Sequence, residues 1–203
     1  VIVDPKPGYF RQHVFNTQPR REGNTVSQLN FLPPTTLVIG GARSGKSAYA
    51  ERLVEGSGLK PVYLATATTG DDEMSERIRL HRERRGDVWS TIEEPLALTT
   101  AIQEHSNNGS VVLVDCLTLW LNNLMALSRD IEQETQELAA MLASLNGPVV
   151  FVTNEVGLGI VPTNELARAF RDHAGRLNQA VAQTSDRVVV MISGLPMILK
   201  PNG

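Results

Sequence analysis

Gly40-Gly41-Ala42-Arg43-Ser44-Gly45-Lys46-Ser47 fits the phosphate-loop pattern G-x-x-x-x-G-K-[ST]. Ahead of it, Thr36-Leu37-Val38-Ile39 reads as a short buried strand, and behind it Ser47 to Glu55 carries helix formers without a breaker. Strand, loop and helix follow in the order the motif requires, which argues against a mere Gly/Ser-rich turn before an ordinary helix. Glycines let backbone N–H groups converge on phosphate oxygens, and the helix N-terminus adds a favourable partial charge. Lys46 is expected to reach the terminal phosphates and Ser47 to hold Mg2+. The stretch therefore predicts a protein that binds a nucleoside triphosphate.

Outward from the loop, short β-branched runs alternate with helical patterns from Thr36 onward, the mark of βα units. The fold class predicted is α/β, a P-loop NTPase-type three-layer fold with a mainly parallel β-sheet flanked by helices. Strands are expected over 36–39, 61–65, 88–92, 111–115, 148–152 and 187–192, and helices over 46–55, 72–85, 95–105, 117–127, 130–145 and 163–183. Val111-Val112-Leu113-Val114 and Val149-Val150-Phe151-Val152 are continuous apolar runs, as in strands covered on both faces. Ligands bind such sheets at the carboxyl ends of the strands.

Residues 1–35 differ: Pro5, Pro7, Pro19, Pro33 and Pro34 interrupt them and no period persists. They are expected to form an arm, partly disordered, with Phe10, Phe15 and Phe31 available to pack on the domain or a neighbouring subunit; residues 36–203 form the catalytic domain. The chain starts at Val1, as a processed protein or a fragment does.

With 203 residues, 41% hydrophobic and 20% charged, the chain has length for one well-buried core. A net charge of -3 gives no global electrostatic case for nucleic acid or membrane partners. The single Cys116, among Val114, Leu117 and Leu119, reads as a small core residue. No stretch reaches the roughly 18 apolar residues a membrane span needs. A cytoplasmic protein is expected.

Val111 to Asp115 is expected to deliver one carboxylate to the ligand edge beside the phosphate loop, and Asp115 is a candidate Mg2+ ligand; the alternative is a cap for the following helix. The segment Asp71 to Arg85 starts acidic and ends basic, as the helix dipole prefers. Met74, Ile78 and His81 share one helical face, with Arg77, Arg84 and Arg85 within reach. Neighbouring cations disfavour the imidazolium form, so His81 is a candidate nucleophile for phosphorus and the arginines a grip for phosphate oxygens. A solvated basic helix end is the plainer alternative. Thr153-Asn154-Glu155 follow another strand and open a glycine-rich loop, as ligand contacts or as ordinary strand-end chemistry.

Taken in order, the phosphate loop, Asp71-Asp72-Glu73-Met74 with Arg77-Ile78 and His81, Thr153-Asn154-Glu155-Val156-Gly157 with Gly159-Ile160-Val161-Pro162, and Gly175-Arg176 with Asn178-Gln179 carry a resemblance. Over about residues 36–199 the chain resembles the bifunctional adenosylcobinamide kinase and adenosylcobinamide-phosphate guanylyltransferase family of cobalamin biosynthesis; residues 1–35 fall outside the pattern. The resemblance implies phosphorylation of adenosylcobinamide with ATP or GTP. It then implies transfer of GMP from GTP to adenosylcobinamide phosphate, through a guanylylated histidine at the position of His81. It puts nucleotide contacts on Gly40, Gly41, Ala42, Arg43, Ser44, Gly45, Lys46 and Ser47, on Ala65, Thr66 and Ala67, on Arg82, Glu83, Arg84 and Arg85, and on Glu93 and Asp115. A carboxylate at Glu93 suits the guanine N1–H and N2–H₂ donors. The resemblance also suggests a homotrimer. Rival expectations are a P-loop kinase of another small metabolite without a covalent histidine, and a nucleotide-dependent switch that turns over no corrinoid.

Overall fold

The computed structural model describes residues 32–68 and 88–201. The helix expected over 72–85 and nearly all of the arm expected over 1–35 lie outside the described residues. In chain order the elements are β1 (Thr35–Gly40), α1 (Lys46–Glu55), β2 (Lys60–Ala65), β3 (Ser90–Glu93), α2 (Leu98–His105), β4 (Ser110–Asp115), α3 (Leu117–Ala126), α4 (Ile131–Met141), β5 (Val149–Asn154), α5 (Glu165–Thr184), β6 (Arg187–Ile192) and β7 (Leu195–Lys200). A 3-10 turn at Leu142–Ser144 closes α4.

One seven-stranded sheet runs in the order β3-β2-β4-β5-β1-β6-β7. Every neighbouring pair from β3 to β6 is parallel, and β7 alone runs antiparallel, against β6. Side chains alternate across the sheet, so successive residues of a central strand feed different cores. Leu37, Val112, Val114 and Phe151 join a core filled by Leu98 and Ile102 of α2, Trp120 and Leu124 of α3, Leu138 of α4 and Leu177 of α5. Val38, Val111, Leu113, Val150 and Val152 join the opposite core with Ala50 and Val54 of α1. Burial on both faces explains the unbroken apolar runs of β4 and β5, and the three-layer parallel fold follows.

Helix starts obey local chemistry. Asp130 accepts a hydrogen bond from Gln133 N at 3.0 Å to start α4, and Asn164 accepts one from Ala167 N at 3.1 Å to start α5. Before α2, Glu94 Oε1 takes the N–H groups of Leu96 and Ala97, both at 2.8 Å, which delays that helix to Leu98 against the expected residue 95.

The sequence reading omits β7. Ser193 (φ 52°) and Gly194 (φ 82°) both adopt left-handed backbone and link Ile192 to its partner Leu195 as a two-residue hairpin turn. Pro196 counts against a central strand, since it has no N–H to give a ladder, but β7 is an edge strand with one side unpaired.

Phe151 is completely buried in the middle of the sheet. Replacing it with Ala is expected to cost about 3–5 kcal/mol, read in denaturant titration as a lower midpoint at an unchanged slope.

Candidate active site

The loop after β1 is shaped by close packing. A Cβ on Gly40 would stand 2.6 Å from the Met191 carbonyl oxygen and 2.9 Å from Ser44 Oγ, so only glycine fits where the loop passes β6. Gly45, at φ 93°, turns the chain into α1. The β6–β7 hairpin that the sequence reading omits buttresses this turn: Gly194 N donates to Ser44 O at 3.0 Å. Lys46 is buried at the start of α1 and its Nζ donates to Gly41 O at 2.6 Å, so the ammonium lies back across the loop. Ser44 Oγ is buried and has no partner among the described residues, leaving an unused hydroxyl inside the loop. Gly41, Ala42 and Arg43 are exposed at its rim, and Ser47 is half-buried in the first turn of α1.

Strand register arranges the other candidates. Ala65 pairs with Glu93 on one side and with Asp115 on the other, so the last residues of β3, β2 and β4 stand in one row. Asp115 is one strand further from the loop than the sequence suggests, because β5 lies between β4 and β1. At about 4.8 Å per strand, Asp115 is roughly 10 Å and Glu93 roughly 19 Å along the edge from β1. Glu93 is exposed and Asp115 half-buried. Thr66 is fully buried; its hydroxyl donates to Cys116 O at 2.7 Å and accepts from Cys116 N at 2.9 Å. Ala67 is half-buried just beyond.

Beside the loop itself comes the end of β5. Asn154 pairs with Gly40, and Glu155 N donates to Gly40 O at 3.0 Å. Thr153 Oγ1 donates to Asn178 Oδ1 at 2.8 Å, Asn178 Nδ2 donates to Asn154 O at 3.1 Å, and Asn154 N donates to Thr118 Oγ1 at 2.8 Å. Glu155 Oε1 accepts from Gly157 N at 2.7 Å. Thr153 and Asn154 therefore carry strand-end chemistry that ties α3 and α5 to the edge. His81, Arg82, Glu83, Arg84 and Arg85 lie outside the described residues. Thr118, Asn123 and Gly194 escape the sequence reading, since only the fold brings them to the edge.

Among the described residues no group of three or more His, Cys, Asp or Glu side chains could hold a metal ion. Ser47 and Asp115 are hard oxygen donors, and Mg2+ characteristically takes one or two protein ligands and completes its shell with phosphates and water. The donor set fits that ion. Among the described residues no helix is long and apolar enough to cross a membrane.

The family model described as CobU, cobinamide kinase / cobinamide phosphate guanyltransferase, matches residues 36–199. A Pseudomonas aeruginosa protein named bifunctional adenosylcobalamin biosynthesis protein CobP is 49% identical over 166 residues, covering 81% of this chain and 96% of that one. The Escherichia coli K12 protein named bifunctional adenosylcobalamin biosynthesis protein CobU is 41% identical over 179 residues, covering 81% of this chain and 98% of that one. Among solved structures, the Pyrococcus horikoshii OT3 protein PH0250 superposes with a TM-score of 0.50 at 11% identity, covering 86% of this chain and 89% of that one, a likeness of fold alone.

Cys116 follows Asp115 on this edge but is no nucleophile: burial first, and the neighbouring Asp115 carboxylate second, push its thiol from 9.0 up to about 11. The folded thiol is expected to resist an aromatic disulfide reagent at pH 8 and to react fully once guanidinium unfolds the chain. Because the unfolded thiol ionises first, its contribution to stability is complete below pH 9 and is lost as the pH rises toward 11, which urea titrations across that window would register.

Proposed function

This chain belongs to the cobinamide kinase / cobinamide phosphate guanyltransferase family, and on that premise we propose how its residues divide the work of two reactions. It is a bifunctional enzyme of adenosylcobalamin biosynthesis, a cobinamide kinase and a cobinamide-phosphate guanylyltransferase acting with nucleoside triphosphates. The observation that carries the assignment of roles is the single sheet edge shared by the Gly40–Ser47 loop and the register row Glu93, Ala65, Asp115.

At one end of that edge, the loop N–H groups, Lys46 and the unused Ser44 hydroxyl take the phosphates. To do so, Lys46 gives up its bond to Gly41 O for a phosphate oxygen. Ser47 and Asp115 hold Mg2+, which when bound neutralises phosphate charge. At the other end Glu93 accepts from guanine N1–H and N2–H₂, and the main chain at Ala65, Thr66 and Ala67 flanks the nucleotide between them. His81 attacks the α-phosphorus of GTP: a P–N bond forms, the P–O bond to pyrophosphate breaks, and Arg82, Arg84 and Arg85 counter the charge. A phosphate oxygen of adenosylcobinamide phosphate then attacks the same phosphorus, forming the new P–O–P linkage and releasing His81. In the kinase reaction the corrinoid hydroxyl takes the γ-phosphoryl group of ATP or GTP from the same loop. Residues 36–203 form the catalytic domain and residues 1–35 an arm outside it, and the enzyme works in the cytoplasm.

The protein assembles as a homotrimer in this reading. The support is apolar surface: Leu195, Ile198 and Leu199 of edge strand β7 and Leu158 and Ile160 after β5 are more than half exposed, and an open apolar edge invites pairing with another chain.

His81→Ala is expected to abolish guanylyl transfer and covalent labelling by α-labelled GTP while kinase turnover remains measurable; label persisting in the variant sinks the assignment. Light scattering should give three copies for the native chain, and Ile198→Lys with Leu199→Glu should shift the mass toward one.

A further inference from the structure

Asn123 stands on α3, is 9% exposed and belongs to none of the sequence motifs. Its Nδ2 donates to two carbonyl oxygens, Thr66 O at 2.7 Å and Pro95 O at 3.1 Å. One carbonyl lies just past the end of β2, and the other leads from β3 into α2. Trp120, one turn earlier on the same face of α3, donates Nε1 to Leu96 O at 2.8 Å. Thr66 in turn clasps the main chain of Cys116 on both its N–H and its C=O. These side-chain bonds add to the last main-chain bonds between the strand ends, Glu94 N to Ala65 O at 2.9 Å and Thr66 N to Asp115 O at 3.3 Å, in fastening Glu93, Ala65 and Asp115.

We propose that Asn123 is a positioning residue for base recognition: its side-chain amide fixes the β2 and β3 ends so that the Glu93 carboxylate meets the purine. The proposal rests on the reading of Glu93 as the guanine contact. The side-chain bonds of Asn123 go to Thr66 O and Pro95 O and not to the phosphate loop. The two carbonyls it holds are within two residues of Glu93 and one of Ala65, whereas the loop is several strands away along the edge. An amide is the fitting group here, because two acceptors need two N–H donors on one nitrogen. Removing those donors leaves one buried carbonyl, Thr66 O, and one half-buried, Pro95 O, seeking other partners, and the β2 and β3 ends move to find them. The base end of the site should loosen while the phosphate end keeps its shape.

Comparing GTP with ITP isolates this effect, since ITP lacks only the 2-amino group that Glu93 would receive. Equilibrium affinities of the full chain for GTP, ITP and tripolyphosphate, all with magnesium, are measured for the native protein, Asn123→Ala and the isosteric Asn123→Asp. Circular dichroism and thermal melts select a temperature at which each is folded. The expected result is a GTP-over-ITP preference reduced roughly tenfold with tripolyphosphate affinity within about twofold of native. A residue that merely stabilises the fold would lower all three affinities together and leave the ratio alone, and an unchanged ratio overturns the proposal. Glu93→Gln separates the two layers of inference. If it collapses the preference while both Asn123 variants retain it, the positioning role fails and the base contact stands; if Glu93→Gln also retains it, the reading of Glu93 fails and the proposal with it.

Discussion

A parallel sheet covered on both faces has to satisfy, without water, the backbone groups that leave its ladders at the strand ends, and this requirement organises the whole ligand edge. Both β4 and β5 are paired with a strand on each side, and their middles can be purely apolar. One residue beyond the strand ends, single main-chain bonds such as Glu94 N to Ala65 O and Glu155 N to Gly40 O still join neighbours, and the remaining groups are left to side chains. An unpaired buried group costs about 1–3 kcal/mol, so the edge carries buried Thr66, Thr118, Asn123 and Asn178 bonded to main-chain groups at or just past strand ends, with Thr153 bonded to the Asn178 side chain. These polar side chains make the edge stiff. A stiff edge suits a site whose reacting atoms have to be held within a fraction of an ångström of the geometry of attack.

Much of this was legible in the sequence, for reasons that differ by element. β-Branched apolar runs have one comfortable fate in a chain that alternates them with helices, so β1, β4, β5 and β6 fall close to their expected places. The phosphate loop was legible because its glycines answer local demands: Gly40 has no room for a Cβ and Gly45 requires positive φ. Strand order was not. Nothing in the composition of β5 announces that it inserts between β1 and β4, so Asp115 lay one strand further from the loop than a linear reading suggests. The hairpin to β7 hid behind Pro196, which counts against a strand only where both sides are paired.

Asn123 and Thr118 were illegible for a related reason. In a helix sequence an asparagine or threonine looks like a weak helix former on a wet face, and only tertiary structure reveals that its polar atoms meet carbonyls and N–H groups of strands far away in the chain. Thr66 shows the converse. The family resemblance makes it a nucleotide contact, yet its hydroxyl is engaged by Cys116, its N–H by Asp115 O and its C=O by Asn123, so its polar atoms already serve the strand ends.

The separation between the two ends of the edge bears on how one loop can serve two transfers. The α-, β- and γ-phosphates present nearly identical oxygens, and a cradle of backbone N–H groups distinguishes them poorly. What differs between them is distance from the base. A nucleotide held only by its phosphates is therefore free to slip along the loop by one phosphate, whereas one held also at the purine is fixed in register. With Glu93 as the base contact, four strand spacings from β1, the span between carboxylate and loop decides which phosphorus stands where a nucleophile can reach it. On the proposed reading, selecting α over γ depends less on the loop than on how firmly the β2 and β3 ends are held, a task the Asn123 amide shares with Trp120 Nε1 on Leu96 O and with the main-chain bond from Glu94 N to Ala65 O.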